Sequence, residues 1–473
     1  MNFIEIAYKP SVGGLTKLIA DLITSFSAVW VGIIVFTVLL KLITLVFDYF
    51  SRSSMRKSSL KMKQMRPELE KLQEQYKDRK DLYSQKVMAL YKKEGYSVFG
   101  SCLPTIVTLV IFIIVLNSFN RYSTFQQEEN LYNMAAAYNQ VVIDGVEADG
   151  IDADGNYYVK VEQNKKTKAD ELVFNADAIE RALNGVADND AATKALTKGE
   201  EAYNLTITKG TSKTESGVTS TPVTLSSEHS YVTLKITLTK DADGKVSYTK
   251  DDALFGVDLE KLKANETLKY ENKTFAETYE EADRTVENAE KFVVNVQQRA
   301  SADVYYKERQ SFFWVKNIWK PDAVYSFSGC TKIVKITPVI DNNKVLSNDD
   351  YKLVIGDLSK EAKQPNGYYI LIVLTIGTMI LSQFVSMKSQ KDQLELQTVD
   401  GQGAQTQKMM MWMMPVMMAF FAFIYSAAFS LYIIVSTLMS TLTTVIINKI
   451  VDARFAKKEG LEENNNNNIV RRG

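Results

Sequence analysis

Residues 35–50 read VFTVLLKLITLVFDYF, an apolar run that keeps Lys41 near its middle and Asp48 two helical turns later. A helix needs about 20 mostly apolar residues to cross the hydrocarbon core of a bilayer. A charge held near the centre costs roughly 2.5 to 3.5 kcal/mol on insertion scales. Lys41 lies about two turns from the inner end of a span over 27–49, deeper than a lysine stem reaches by snorkelling. The retained charge predicts a polar, water-reachable cavity between helices. Thr37, Lys41, Thr44 and Asp48 follow at spacings of 4, 3 and 4, which is one helical face. Asp48 is expected to balance Lys41 in part, through water.

Four further stretches of the 473-residue chain meet the length criterion: roughly 98–119, 367–387, 409–428 and 430–448. The last two are joined by almost nothing and predict a tight helical hairpin. Ahead of the first span, Leu15, Leu18, Ile19, Leu22 and Ile23 share one face of a short amphipathic helix suited to the membrane surface. The opening MNFIEIAYKPSVGG lacks a basic region, an apolar core and a cleavage site, so the first span is expected to stay in the mature protein. Cys102 and Cys330 are too few and too far apart for a disulfide framework or a metal site, and the one histidine, His229, reads as a solvated loop residue.

Charge distribution orients the spans. Residues 51–97 carry 13 Lys/Arg against 6 Asp/Glu, whereas 121–366 carries 31 against 40. Basic loops stay cytoplasmic. This places the N-terminus and residues 121–366 outside, and the C-terminus in the cytoplasm.

Other spans carry polar stripes at helical spacing. They are Ser101, Thr105 and Thr108 in the second, Thr375, Thr378, Ser382 and Ser386 in the third, and Thr437, Ser440, Thr444 and Asn448 in the fifth. Such hydroxyls commonly bond their own helix, so one stripe alone signifies little. Several stripes around a lysine point to a lined groove. The fourth span instead surrounds Pro415 with methionines, Met414, Met417 and Met418 among them. Met adapts its shape to variable apolar partners, although it serves equally well facing lipid.

In the basic loop, Met62, Met65, Leu69, Leu72 and Tyr76, then Tyr83, Val87 and Leu90, keep 3 and 4 spacing on either side of DRKD. This predicts a helical hairpin with a coiled-coil-like seam. Its basic exterior suits anionic headgroups, ribosomal RNA or an acidic chain. Within 121–366, SYVTLKITLTKDADGKVSYTKDD predicts a β-hairpin around Asp243-Gly244. Residues 175–196 and the stretch FAETYEEADRTVENAEKFVVNVQQ read as helices. DGIDADGNYY fails the spacing of a calcium loop and reads as a turn. No nucleotide-binding or hydrolase motif occurs.

QKVMALYKKEGYSVFGSCLPTIVTLVIFIIV, residues 85–115, strongly resembles the YidC/Oxa/Alb family of membrane protein insertases. Met88 to Lys93, Gly100, Cys102, Leu103, Pro104, Ile111 and Phe112 match its pattern as they stand. RPELEKLQEQYKD, SFFWVKNIWKPD, KMMMWMMPVMMAFF and FSLYIIVSTLMS are similar to further family elements, in the family's order. The resemblance covers all five spans and leaves out the middle domain. It implies an all-α polytopic membrane protein: a five-helix insertase core with a cytoplasmic helical hairpin, here carrying an inserted α+β extracytoplasmic domain.

The resemblance further implies ATP-independent insertion of nascent hydrophobic segments through a hydrophilic groove open to the cytoplasm, with one basic residue on the first core helix. Lys41 and Val46 stand where the family has Arg and Pro, Thr108 and Val110 where it has Gln and Pro, and Ser430 and Ile433 where it has Gly and Trp. The chain therefore looks like a divergent member. Expected groove residues are Lys41, Thr37, Thr44, Asp48, Thr108, Thr378 and Ser382. Ile111, Phe112, Met414, Met417 and Met418 are expected to form the slide along which a client leaves. No cofactor, metal or catalytic residue is expected, and no enzyme activity.

Nascent membrane proteins and lipid are the expected partners, with the ribosome, the signal recognition particle pathway and the Sec translocon further ones; specific DNA binding is not expected. The expected organisation is an N-terminal segment 1–26 with an interfacial helix, two spans in 27–120 with the hairpin at 52–96, the insertion at 121–366, three spans in 367–450, and a basic, partly disordered tail at 451–473. A small-solute or anion transporter using Lys41 as its intramembrane site is the alternative, and a membrane-anchored extracellular binding module a third reading.

Overall fold

The computed structural model describes residues 1, 3–95, 103–320, 339–340, 342, 344–361, 364–396, 413, 416 and 426–470, and their side chains except at 59, 103–106, 108–109, 389–396 and 458–470. The chain opens with four helices: α1 (Gly14–Thr24), α2 (Val29–Gln75), α3 (Lys80–Lys93) and α4 (Leu103–Asp144). Strands β1 (Val159–Gln163) and β2 (Asp170–Phe174) lead to α5 (Ala176–Ala182). Six strands follow: β3 (Ala191–Lys198), β4 (Glu201–Lys209), β5 (Lys213–Glu215), β6 (Val218–Ser227), β7 (Val232–Lys240) and β8 (Val246–Val257). Then come α6 (Leu259–Lys263), α7 (Phe275–Thr278), α8 (Val286–Glu308) and α9 (Asn348–Val354). The last described helices are α10 (Tyr368–Leu396) and α11 (Ala427–Val470). Two compact units result. One holds Met1–Ser11, Phe125–Arg309 and Ile336–Gln364; the other holds Val12–Thr124, Gln310–Lys335 and Pro365–Gly473.

The second of these is helical. Among the described residues, three helices are long and apolar enough to cross a membrane: α2, α10 through Lys388 and α11 through Lys457. The expected second span enters α4 at Leu103, but residues 96–102 lie outside the described residues. So does most of the expected fourth span, of which Met413 and Val416 are described as helical. The chain is thus a polytopic membrane protein with a separate β-sheet domain.

Helix α2 has 47 residues, which at 1.5 Å each makes it about 70 Å long, over twice a hydrocarbon core. Its second half projects past the apolar stretch and pairs with α3. Met62, Met65 and Leu69 are buried together with Leu90 of α3, and Leu72, Val87 and Tyr91 pack half-buried around them. The seam follows the 3 and 4 spacing read from the sequence. Lys61 Nζ closes its end by donating to the carbonyls of Glu94 (3.1 Å) and Gly95 (2.7 Å).

Helix α1 packs back on α2 through Thr16, Ile19, Ala20 and Ile23, all buried. Leu15 and Leu18 stay exposed, so the apolar face read from the sequence divides: one edge meets protein and the other is open.

The other unit is α+β. Its six-stranded antiparallel sheet runs β3-β4-β6-β7-β8, with β5 paired to β6. Alternation buries one face. Ile207 lies opposite Leu225, which lies opposite Leu234; Val223 lies opposite Ile236. These side chains share a core with Ile179 of α5 and Phe292 and Val293 of α8. The hairpin of β7 and β8 turns through Asp241–Lys245, where Asp241 Oδ1 accepts from the backbone N–H groups of Asp243 and Lys245.

Helix α8 starts at Thr285, whose hydroxyl accepts from Asn288 N–H, an N-cap that satisfies an orphan donor. A smaller core joins Ile4 and Ile6 to Leu131 and Tyr138 of α4. Asn139 fastens the N-terminal segment there, accepting from Ile4 N–H (2.8 Å) and donating to its carbonyl (2.9 Å).

Two expectations need correction here. Residues 175–196 are not one helix: α5 ends at Ala182, Gly185 takes φ +79°, and 191–198 form β3 against β4. Alanine-rich helix propensity loses to the ladder of hydrogen bonds offered by a neighbouring strand. The stretch FAETYEEADRTVENAEKFVVNVQQ breaks likewise into α7, a 3-10 turn at Glu281–Asp283, and α8 from Val286. DGIDADGNYY is a turn. Asp152 Oδ1 accepts from Asp154 and Asn156 N–H, and Oδ2 from the Tyr158 hydroxyl.

Candidate functional site

The polar face of α2 is built around one ion pair. Lys41 Nζ lies 2.8 Å from Asp48 Oδ2, with the two side chains 14% and 24% exposed. Seven residues on a helix rise about 10.5 Å. The lysine stem runs down its own face past Thr44, which is buried, to reach the carboxylate. Contact is direct, where the sequence suggested balance through water. The two charges are the only ones between Val29 and Ser51, so the apolar stretch of α2 carries no net charge.

Toward the hairpin, α2 is latched to α11. Arg52 Nη2 donates to Thr444 Oγ1 at 3.3 Å, Arg56 Nε lies 3.5 Å from Asp452 Oδ1, and Arg454 Nη1 donates to the Tyr49 hydroxyl at 2.5 Å. Lys41, Asp48, Arg52 and Arg56 therefore line one side of the helix as a charged row. Helix α10 joins α11 through Thr441 Oγ1, which donates to Ser382 Oγ at 2.8 Å.

The other end of this unit is closed by packing. Phe119, Trp319, Phe429 and Tyr432 are all buried, with Phe119 stacked on Tyr432 and Tyr122 edge-on to Trp319. Ser123 Oγ donates to the Trp319 carbonyl, and Ala428 N–H to that of Ile318. Asn366 is buried and holds the 310–320 loop with three bonds. Its Oδ1 accepts from Asn317 N–H (2.8 Å), and its Nδ2 donates to the carbonyls of Asn317 (2.8 Å) and Lys320 (2.9 Å). The Tyr368 and Ser430 hydroxyls meet at 2.7 Å, fully buried, where α10 and α11 begin.

The expected groove residues divide into those in contact and those apart. Lys41 and Asp48 are paired. Thr37 donates to Ile33 O (2.6 Å), Thr44 to Lys41 O (3.1 Å) and Thr378 to Thr375 O (2.9 Å), so these hydroxyls satisfy their own helices. Among the described residues, no side-chain bond links them to Lys41 or Asp48. Ser382 meets Thr441 instead. Ile111 and Phe112 are half-buried on α4. The Thr108 side chain, Met414, Met417 and Met418 lie outside the described residues.

The sequence reading missed Thr441, Arg52 and Asn366. Thr441 follows Thr437 at i+4 and was legible as part of that stripe; the partners of Arg52 and Asn366 are distant in sequence and left no local signal.

The sequence profile described as 60Kd inner membrane protein matches residues 21–143 and 302–454. These segments contain α2, α4 but for its last residue, α10, the ion pair and all three contacts of the latch. The chain belongs to this family, the YidC/Oxa family. The β-sheet domain falls between the matched segments, an insertion within the family's membrane part. Three proteins called membrane protein insertase YidC are similar to it over short stretches. That of Hahella chejuensis is 37% identical over 97 residues, 20% of this chain and 16% of the relative. That of Marinomonas sp. is 42% identical over 93 residues, again 20% and 16%. That of Marinobacter nauticus is 43% identical over 83 residues, 18% and 14%. The chain thus spans about a sixth of the length of the curated relatives it matches. No solved structure matches it.

Proposed function

We propose that this YidC/Oxa family protein inserts nascent hydrophobic segments into the bilayer without nucleotide. Its core would be five helices: α2, the apolar part of α4, α10, the methionine-rich 409–428 segment and α11. The hairpin of α2 and α3 would meet the client in the cytoplasm, with the N-terminus and the sheet domain outside. The client's apolar helix would leave between Ile111, Phe112 and Met414, Met417, Met418. Hydrophobic partitioning supplies the driving force, at about 25 cal/mol per Å² of apolar surface removed from water.

The observation that carries this reading is the Lys41 side chain, charged and only 14% exposed on an apolar helix. Its charge attracts acidic groups in the client's short translocated tail. Water around it shortens the low-dielectric path those groups must cross. The aromatic packing of Phe119, Trp319 and Tyr432 supports a groove shut at the far end.

Two experiments test it. Lys41→Leu is expected to impair insertion of clients with acidic tails, and Lys41→Arg to preserve it; full insertion by Lys41→Leu overturns the role given to the charge. Photocrosslinkers at Ile111 and Phe112 are expected to capture a stalled nascent chain. An anion transporter predicts no such adducts.

A further inference from the structure

Asp48 is the residue the mechanism above leaves unused. It occupies the cation that a client's carboxylate needs, at 2.8 Å. One turn beyond it stands Arg52, whose guanidinium is held by an uncharged partner, the Thr444 hydroxyl at 3.3 Å. Residues four apart on a helix are surface neighbours. Asp48 therefore has a cation on either side, at −7 and at +4, and in this structure it takes the deeper one.

We infer that Asp48 is an internal counter-ion that a client's tail carboxylate displaces from Lys41, and that Arg52 receives Asp48 when it is displaced. The inference rests on the groove reading and deepens it. Before exchange, the paired charges are Lys41 and Asp48; after it, they are Lys41 with the client and Asp48 with Arg52. Neither Lys41 nor Asp48 stands alone at either stage, which matters because removing one partner of a buried pair is strongly destabilising. An uncharged tail offers nothing to exchange. A basic tail meets Lys41 as a like charge. The same pair that leaves the apolar stretch of α2 without net charge thus selects for acidic tails.

The test uses the full-length protein in membranes and a single-span reporter whose translocated tail carries either aspartates or asparagines. The readout is the ratio of acidic-tail to uncharged-tail insertion. Asp48→Asn removes the competitor and is expected to raise the ratio roughly fivefold, the equivalent of ~1 kcal/mol. Arg52→Gln removes the acceptor and is expected to lower it by a similar factor. In Asp48→Asn/Arg52→Gln, the second change is expected to have no further effect, because no displaced carboxylate remains to be received.

If Asp48→Asn lowers both tails alike, or leaves the ratio unchanged while Lys41→Leu abolishes the acidic preference, Asp48 is only structural. The exchange is then wrong and the groove stands. If Lys41→Leu keeps the preference, the groove reading itself fails, and this inference with it. Should Asp48→Asn not accumulate in membranes, the triple change Lys41→Asp/Asp48→Lys/Arg52→Glu restores the pair and its acceptor with all signs exchanged. The triple change is expected to move the preference to basic tails; an unchanged preference overturns the exchange.

Discussion

Gly32, in the first turn of α2, lies flush against the backbone carbonyl of Ile23 in α1, and a Cβ at position 32 would collide with it. The contact lets α1 turn back at residues 25–28 and bury Ile19 and Ile23. Because the opposing atoms are backbone, no rotamer change relieves the clash. Gly32→Ala is expected to cost about 1–3 kcal/mol, the usual range for overpacking, and Gly32→Val more. Thermal melting in detergent measures the loss. Faster proteolysis in the 25–28 turn identifies α1 as the part that lets go.

Asn366 satisfies three buried backbone groups at once, on Asn317 and Lys320. Each group left unpaired costs about 1–3 kcal/mol. Asn366→Ala is expected to be among the most destabilising single changes in the membrane unit. Asn366→Asp retains the acceptor for Asn317 N–H and loses both donors, so it falls between Ala and the native residue. Trp314 and Trp319 report the change through their fluorescence during melting.

Leu69 sits in the small seam between the projecting half of α2 and α3. Leu-to-Ala changes in full cores cost about 2–5 kcal/mol, and a seam this small belongs at the lower end. Leu69→Ala is expected to open the hairpin without melting the membrane helices. Hydrogen exchange checks it: amides of Lys80–Lys93 lose protection, while those of α8 keep theirs.

Burial pushes the Asp152 carboxyl up, but bonds from Asn156, Tyr158 and Asp154 outweigh it and hold the group below its ordinary 3.8. A depressed carboxyl adds stability above its unfolded value, and that stability disappears as pH falls through the folded value. Asp152→Asn is therefore expected to melt earlier than the native protein near neutral pH. The gap closes on acidification below the ordinary aspartate range. A gap independent of pH would assign the loss to turn geometry instead of to charge.

Legibility in the sequence followed the range of each interaction. The hairpin seam, β7 and β8 with their Asp241–Lys245 turn, and the polar face of α2 depend on neighbours from three to about thirty residues away, and period or turn chemistry reveals them. The boundary between α5 and β3 was misread. Ala191–Lys198 has helix-forming composition, and the partner that makes it a strand enters only when β4 aligns beside it. The pairing of Lys41 with Asp48 was half legible: spacing put both on one face, but only side-chain reach decided between direct contact and water.

By itself, the amino-acid order determined that this chain belongs in a membrane, which residues break its apolar helices, and which family motifs they sit beside. Those properties follow from hydropathy and helical period, which act within a single segment. Only the tertiary structure decided that Arg52 bonds Thr444, that Asn366 holds the 310–320 loop, and that Ile4 docks on Asn139. Each joins residues tens to hundreds of positions apart. Such contacts are set by how packed elements bring distant polar groups within hydrogen-bond reach, a condition that no local pattern encodes.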